Sequence, residues 1–219
     1  FRIGSYCIEK LTSDGEFVTQ WGSKGEDDGE FRIIQSIAAD RRGFVYVFEG
    51  SLNFRIQKFT SDGEFVTKWG SRGNGDGEFI LLYGIATDHN GFVYTADNSN
   101  HRVQKFTPDG QLVTKWGRIG ARRGEFNKPY GIAVDSDGFV YVTETRNHRV
   151  QKFTSDGEFV KWWGGRGSSN GKFLIPRGIA VDNEGFVYVA DGLNTRIQKF
   201  NSDGQFVSAW GNGLFSMPN

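Results

Sequence analysis

Cysteine is nearly absent from this chain. Cys7 is the only one in 219 residues, which excludes an internal disulfide and any metal site built on thiolates. Histidine is almost as rare, with His89, His101 and His148 the only three, against the three converging ligands plus an open position that a catalytic zinc needs. The longest apolar runs are a few residues, too short to span a membrane as a helix. Charge of one sign is not in excess: 26 basic residues balance 26 acidic ones, so total charge names no partner. Neither a G-x-S-x-G nucleophile turn nor a phosphate-cradling G-x-x-x-x-G-K occurs, and no window carries a helical period. The chain opens on Phe1, which leaves room for a removed leader, and the compartment stays open.

What the chain has in quantity is glycine (31), phenylalanine (20) and a strict period. Asp-Gly recurs at Asp14, Asp62, Asp109, Asp156 and Asp203, and Trp-Gly at Trp21, Trp69, Trp116, Trp163 and Trp210. The step is 47 residues, with a single 48 at the first interval. "TSDGEFV" is written letter for letter at 12–18, 60–66 and 154–160. Such a period marks a repeat architecture.

Within one unit the pattern reads as four short strands: a "YGIAVD" (130–135), b "FVYVTE" (139–144), c "HRVQKF" (148–153) and d "FVKWWG" (159–164). β-branched and aromatic residues with partial alternation support strands. The Asp-Gly turns between them suit hairpins, since Asp bonds nearby backbone and Gly takes positive φ. A four-stranded antiparallel sheet repeating at this length is a propeller blade.

"NHRVQKF", together with "GIAVD" and "GFVYV", resembles the NHL-repeat family over nearly the whole chain; the triplet stands as Asn100–Arg102 and Asn147–Arg149, and departs from it as "NFR" (53–55) and "NTR" (194–196). The resemblance implies an all-β propeller. We read one domain, 1–219, made of a half unit (1–30) and four complete units at about 31–78, 79–125, 126–172 and 173–219. The half unit supplies only strands c and d. The family usually closes with six blades, so the count points to part of a six-bladed ring more than to five-bladed closure. The closing "LFSMPN" (214–219) matches the entry to another strand a. An open arc exposes strand edges, so the expectation is a piece of a longer chain or a ring completed by another molecule, with self-assembly as a consequence.

A residue required in every unit serves the unit. On that ground Trp21, Trp69, Trp116, Trp163 and Trp210 are expected to cover the neighbouring blade rather than to bind sugars or bases. Arg55, Arg102, Arg149 and Arg196 are expected to pair as bidentate forks with Glu49, Asp97, Glu144 and Asp191 across the b–c turn. Asp40, Asp88, Asp135 and Asp182, closing each strand a, are read as turn caps, with a cation at the tunnel mouth the alternative. "DSDG" (135–138) lacks the distal Glu of a calcium loop. No cofactor and no metal ligand set is assigned. Cys7 replaces the repeat's Arg and is read as incidental.

Function is expected in what varies. The a–b and c–d turns are strongly acidic, holding Asp14, Glu16, Asp62, Glu64, Asp137 and Glu184 against only Arg41 and Arg42. At the opposite end the later d–a loops, 118–128 and 165–177, are basic. Arg118, Arg122, Arg123, Lys128, Arg146, Arg166, Lys172 and Arg177 are the candidate partner-binding residues. The leading expectation is a non-enzymatic binding module that recognises a macromolecule, most simply a protein, through the d–a and b–c loops. The alternative is single-stranded RNA, which some NHL domains bind on a positive end; only Tyr130 is seen near these loops as a stacking residue. A second alternative is a metal-dependent lyase or lactonase, since propellers of related architecture carry metal on the axis.

Overall fold

The computed structural model describes residues 1–50 and 52–211; the "LFSMPN" segment lies outside them. Four blades have four antiparallel strands each, in sequential order. Their strands are Ile34–Ala39, Val45–Glu49, Arg55–Phe59 and Phe65–Trp69 in blade 2. Blade 3 comprises Leu82–Thr87, Val93–Asp97, Arg102–Phe106 and Leu112–Trp116. Blade 4 comprises Pro129–Val134, Val140–Glu144, Arg149–Phe153 and Phe159–Gly164, and blade 5 Pro176–Val181, Val187–Asp191, Arg196–Phe200 and Phe206–Trp210. Blade 1 holds strands c (Ile8–Leu11) and d (Phe17–Trp21). It also holds a short strand, Arg2–Ile3, paired with strand c where strand b belongs. This strand was not expected in the half unit, because Arg2 and Ile3 match no repeat residue.

The core lies between blades. Strands b and c of blades 2 to 4 are buried along their whole length. One apolar layer joins Tyr94, Ala96 and Val103 of blade 3 to Ile132, Val140 and Phe153 of blade 4. A phenylalanine of each d–a loop is fully buried against strand c of the next blade: Phe31 on Phe59, Phe79 on Phe106, Phe126 on Phe153 and Phe173 on Phe200, with ring centroids 5.4–6.0 Å apart. Burying one such ring stabilises by about 1.5–3 kcal/mol. The joint is therefore repeated hydrophobic packing rather than a ladder of hydrogen bonds.

The tryptophans form the outer half of the same joint. Trp21, Trp69, Trp116 and Trp163 lie flat on Gly63, Gly110, Gly157 and Gly204, the c–d turn glycines of the following blades. These glycines have φ of +75° to +92°, and a Cβ on any of them would stand 2.5–2.6 Å from the indole. Glycine is thus fixed twice, by backbone and by contact. Lysines of strands c and d reach over the same turns: Lys10 to Asp62 at 3.0 Å, Lys105 to Asp156 at 3.2 Å and Lys161 to Asp203 at 2.8 Å. The acidic end is consequently less bare than the sequence implies, because several of its carboxylates staple one blade to the next.

The strand-a aspartates cap their turns. Asp135 Oδ1 accepts the N–H groups of Asp137 and Phe139, and Oδ2 accepts the Tyr141 hydroxyl at 2.8 Å. Asp40, Asp88 and Asp182 repeat the arrangement. Burial and the neighbouring carboxylate push the Tyr46, Tyr94 and Tyr141 phenols far above their usual range, so they donate at every physiological pH.

Candidate functional site at the loop-bearing mouth

The b–c and d–a loops meet at one end of the channel, and the repeat residues build its floor. Arg149 donates through Nε to Glu144, while its terminal nitrogens donate to the carbonyls of Ala121, Arg122 and Glu125 in the preceding d–a loop. Arg55 does the same with Glu49 (2.7 Å) and the carbonyls of Glu26, Asp27 and Glu30. The expected bidentate fork on the carboxylate is therefore corrected. One nitrogen holds the acid and the rest of the guanidinium clamps a loop, which satisfies more buried acceptors than a closed pair would. Burial raises the Glu144 and Asp97 carboxyls above their ordinary range, and the arginine works against that.

A second buried residue, not singled out in the sequence, completes the clamp. Gln57, Gln104, Gln151 and Gln198 each accept the N–H of a d–a loop glycine and donate to a carbonyl of the same loop. Their recurrence in "QKF" was the available signal. The d–a loops also close on themselves by short parallel pairings, Ser23–Lys24 with Glu30–Phe31 and Ser71–Arg72 with Glu78–Phe79, which no sequence pattern announced.

The middle residue of the NHL triplet has left-handed backbone throughout: Phe54, His101, His148 and Thr195 have φ of 48–56°. In His101 and His148 the side chain points at the next blade's loop. His101 Nδ1 accepts the Lys128 N–H at 3.2 Å and His148 Nδ1 accepts the Ile175 N–H at 3.1 Å. Both imidazoles titrate below their usual value because of burial, reinforced by Lys128 for His101 and by Arg166 and Arg146 for His148. These histidines are positioning groups for residues 128 and 175. Among the described residues no three His, Cys, Asp or Glu side chains converge as a metal would require.

On this floor stands a row of side chains from the second position of successive strands a: Gln35, Tyr83, Tyr130 and Arg177. Tyr83 and Tyr130 stack with centroids 4.4 Å apart and planes 14° from parallel. The Arg177 guanidinium lies 5.9 Å from the Tyr130 ring. Tyr83, Tyr130 and Arg177 line a cleft of about 280 Å³ with Lys128, Arg146, Asn98, Thr145 and Ile175. Asn98 is held by the Pro129 carbonyl at 2.8 Å and Thr145 by the Lys128 carbonyl at 3.1 Å, so the walls are preorganised. Burial raises the Tyr130 phenol while Arg177 lowers it.

The eight candidate cations do not form one patch. Lys128, Arg146 and Arg177 share the mouth cleft. Arg118, Arg122 and Arg123 lie on the outer d–a loop with Glu125. Arg118 is paired to Glu125 at 2.9 Å, and the Glu125 carboxyl is held below its usual range by the Arg122 N–H and Arg118. In the next loop Lys172 donates to the Gly164 carbonyl, while Arg166 is exposed. The view of Tyr130 as the one aromatic near these loops is corrected: Tyr83 is its partner, brought alongside by blade-to-blade stacking that no single unit reveals.

The NHL repeat model matches residues 84–106, 126–153 and 173–200, each running from strand a or a d–a loop through strand c. The chain is an NHL-repeat β-propeller. No curated protein matches the sequence of this NHL propeller. Among solved structures it is similar to virginiamycin B lyase from Staphylococcus aureus, with TM-score 0.65 and 18% identity over 94% of this chain and 63% of that one. A streptogramin B lyase gives TM-score 0.64 and 16% identity over 94% and 58% of the two chains. A chain of a nidogen/laminin complex gives TM-score 0.62 and 17% identity over 91% and 69%. The NHL propeller thus spans less than two thirds of either lyase. At these identities the likeness is one of fold.

Proposed function

We propose that this NHL propeller is a non-enzymatic binding module whose loop-bearing mouth receives an acidic segment of a partner protein. The observation that carries this reading is the Tyr83–Tyr130–Arg177 stack flanked by Lys128 and Arg146. Stacked phenols and a guanidinium offer a flat apolar wall beside fixed positive charge, which suits a loop tip that pairs a carboxylate with an aromatic or aliphatic side chain. His101 and His148 accept backbone N–H groups through Nδ1, and Glu144 accepts from Arg149 and Asn147, which favours a structural role for these three over that of a general base. The likeness of fold to a chain of a nidogen/laminin complex supports this reading.

Single-stranded RNA is the second reading, favoured by the π-faces of the tyrosine pair. Against it, the peripheral cations are separate from the mouth. The acidic loops carrying Glu26, Asp27, Asp28 and Asp76 share the same end and would repel a phosphate backbone tracking round the ring. The lyase neighbours add fold alone, and a metal-dependent reaction is not proposed.

The test is fluorescence anisotropy of a labelled acidic peptide containing tryptophan, and separately of a labelled single-stranded RNA, at low and high salt. Saturable peptide binding that is lost in Arg177→Glu/Tyr130→Ala is expected. Tight RNA binding with no peptide binding moves RNA to first place, and flat traces for both refute the mouth as the site.

A further inference from the structure

At two joints between blades an ion pair ties the outer strand d to the preceding d–a loop. Lys68 of blade 2 reaches Asp28, and Lys115 of blade 3 reaches Asp76. The joint between blades 3 and 4 is wired differently. By the repeat, Trp162 occupies the position of the two lysines and Arg123 that of the two aspartates, so both ends of the pair are replaced together. Ile119 is a third departure in the same d–a loop, standing where Lys24, Arg72 and Arg166 stand in the others. Blade 5 has Ala209 and Asn170 at the pair positions, with neither a ring nor a charge.

Trp162 is 48% exposed, and among the described residues it is the only exposed aromatic side chain between residues 100 and 175. It is held from behind. The buried Arg149 guanidinium lies 5.6 Å from its ring while donating to the carbonyls of Ala121, Arg122 and Glu125. The Arg123 guanidinium lies 5.8 Å from the ring of Phe159 on the same strand. One clamp thus fixes both the indole and the 121–125 loop. Arg118, Arg122 and Arg123 line a cleft of about 330 Å³ with Glu125. Arg118 is engaged by Glu125, whereas the guanidinium groups of Arg122 and Arg123 form no ion pair among the described residues. A second cleft shares Gly117 and Arg118 with the first and includes Ile119, which is 67% exposed.

We propose that this rim is a second docking surface, separate from the mouth, which takes an acidic segment of a partner protein. Neighbouring carboxylates of that segment meet Arg122 and Arg123, and an apolar side chain packs on the Trp162 indole. Charge complementarity sets the chemistry. Loop 118–125 carries three arginines against one acid, whereas the equivalent loop 23–30 carries Lys24 against four acids. Guanidinium groups without an internal partner suit carboxylates, which they bind as forks. An exposed indole held rigid by a buried cation suits an apolar anchor. A lone ring offers no second platform for successive bases, which disfavours single-stranded RNA at this surface. The mouth residues Tyr83, Tyr130 and Arg177 take no part in it.

The probe is a fluorescein-labelled peptide with two adjacent glutamates beside a leucine, and its control has glutamines in place of the glutamates. The full chain is labelled with fluorotryptophan, and the Trp162 fluorine resonance is assigned by its loss in Trp162→Lys. The glutamate peptide is expected to move that resonance saturably and the glutamine peptide to leave it in place. In anisotropy, Arg177→Glu/Tyr130→Ala, which alters the mouth, is expected still to bind the glutamate peptide. Adding Trp162→Lys/Arg123→Asp should weaken that binding about tenfold. This last pair copies the Lys115–Asp76 arrangement of the neighbouring joint, so the fold is kept, as circular dichroism checks. A Trp162 resonance unmoved by the glutamate peptide overturns the proposal, as does equal movement with both peptides or loss of the shift in the mouth variant. Movement caused by single-stranded RNA and not by the peptide overturns the protein partner. Peptide binding at the mouth is judged separately, in Trp162→Lys/Arg123→Asp, so either site can fail without the other.

Discussion

Replacing Gly157 by alanine measures the blade joint directly. Its φ is +90°, and an added methyl would lie 2.6 Å from the Trp116 indole. Two costs follow: about 1–2 kcal/mol for a left-handed alanine, and about 1–3 kcal/mol for overpacking on a ring backed by Phe153. The expected loss is therefore about 2–5 kcal/mol. Trp116→Ala is expected to cost about 2–3 kcal/mol, below the about 3–5 of a fully buried ring, because this indole is only half-buried. In the Trp116→Ala background Gly157→Ala should retain only its backbone cost, which leaves a coupling of about 1–3 kcal/mol. Gly15→Ala is an internal control, since the same heptad surrounds it and no indole does. The assay is urea unfolding of the wild type and these four variants in dilute solution, with m-values required to agree. Equal cost of Gly157→Ala with and without Trp116 would show that the indole does not press on the turn, and the account of the joint would fall.

Arg149→Ala is expected to cost about 3–5 kcal/mol, because Glu144 would be left buried without its cation; a melt shift no larger than for a surface arginine would contradict the clamp. Lowered His101 and His148 titration makes the folded chain resist protons that the unfolded chain takes up near pH 6.5. Their contribution to stability is accordingly complete above that pH and declines as pH falls toward the depressed folded values. His101→Thr/His148→Thr, which copies the threonine that blade 5 carries at Thr195, should flatten that slope relative to wild type in urea midpoints taken across the window. Tyr83→Ala is expected to weaken acidic-peptide binding severalfold with little loss of stability, read by anisotropy and thermal unfolding together.

The blade was legible because its determinants are local. Asp-Gly turns and alternating strand residues are visible within one unit, and the four strands read between 130 and 164 fall within a residue of their expected bounds. Joint and mouth were less legible, because they are built by residues about 47 positions apart acting across units. Trp116 lies against Gly157 of the following blade, yet nothing in its own unit names that seat. Tyr83 and Tyr130 look like ordinary strand residues until stacking of blades brings their rings together. The guanidinium fork was misassigned for a similar reason: the carboxylate partner is near in sequence, whereas the loop carbonyls that take most of its donors are 24–29 residues away.

The seating of each tryptophan on a glycine of the following unit bears on how such a gene can grow. A duplication of one whole period by unequal crossing-over delivers a new knob and a new seat in the right order, and every old junction survives. An insertion inside a strand or c–d turn shifts a ring off its glycine, whereas one in a b–c loop is absorbed, as the single extra residue between Glu49 and Arg55 is while Trp21 still meets Gly63. Selection then tolerates whole periods and loop changes and erases shifts within the strands. The verbatim heptads at 12–18, 60–66 and 154–160 are the record of such copying.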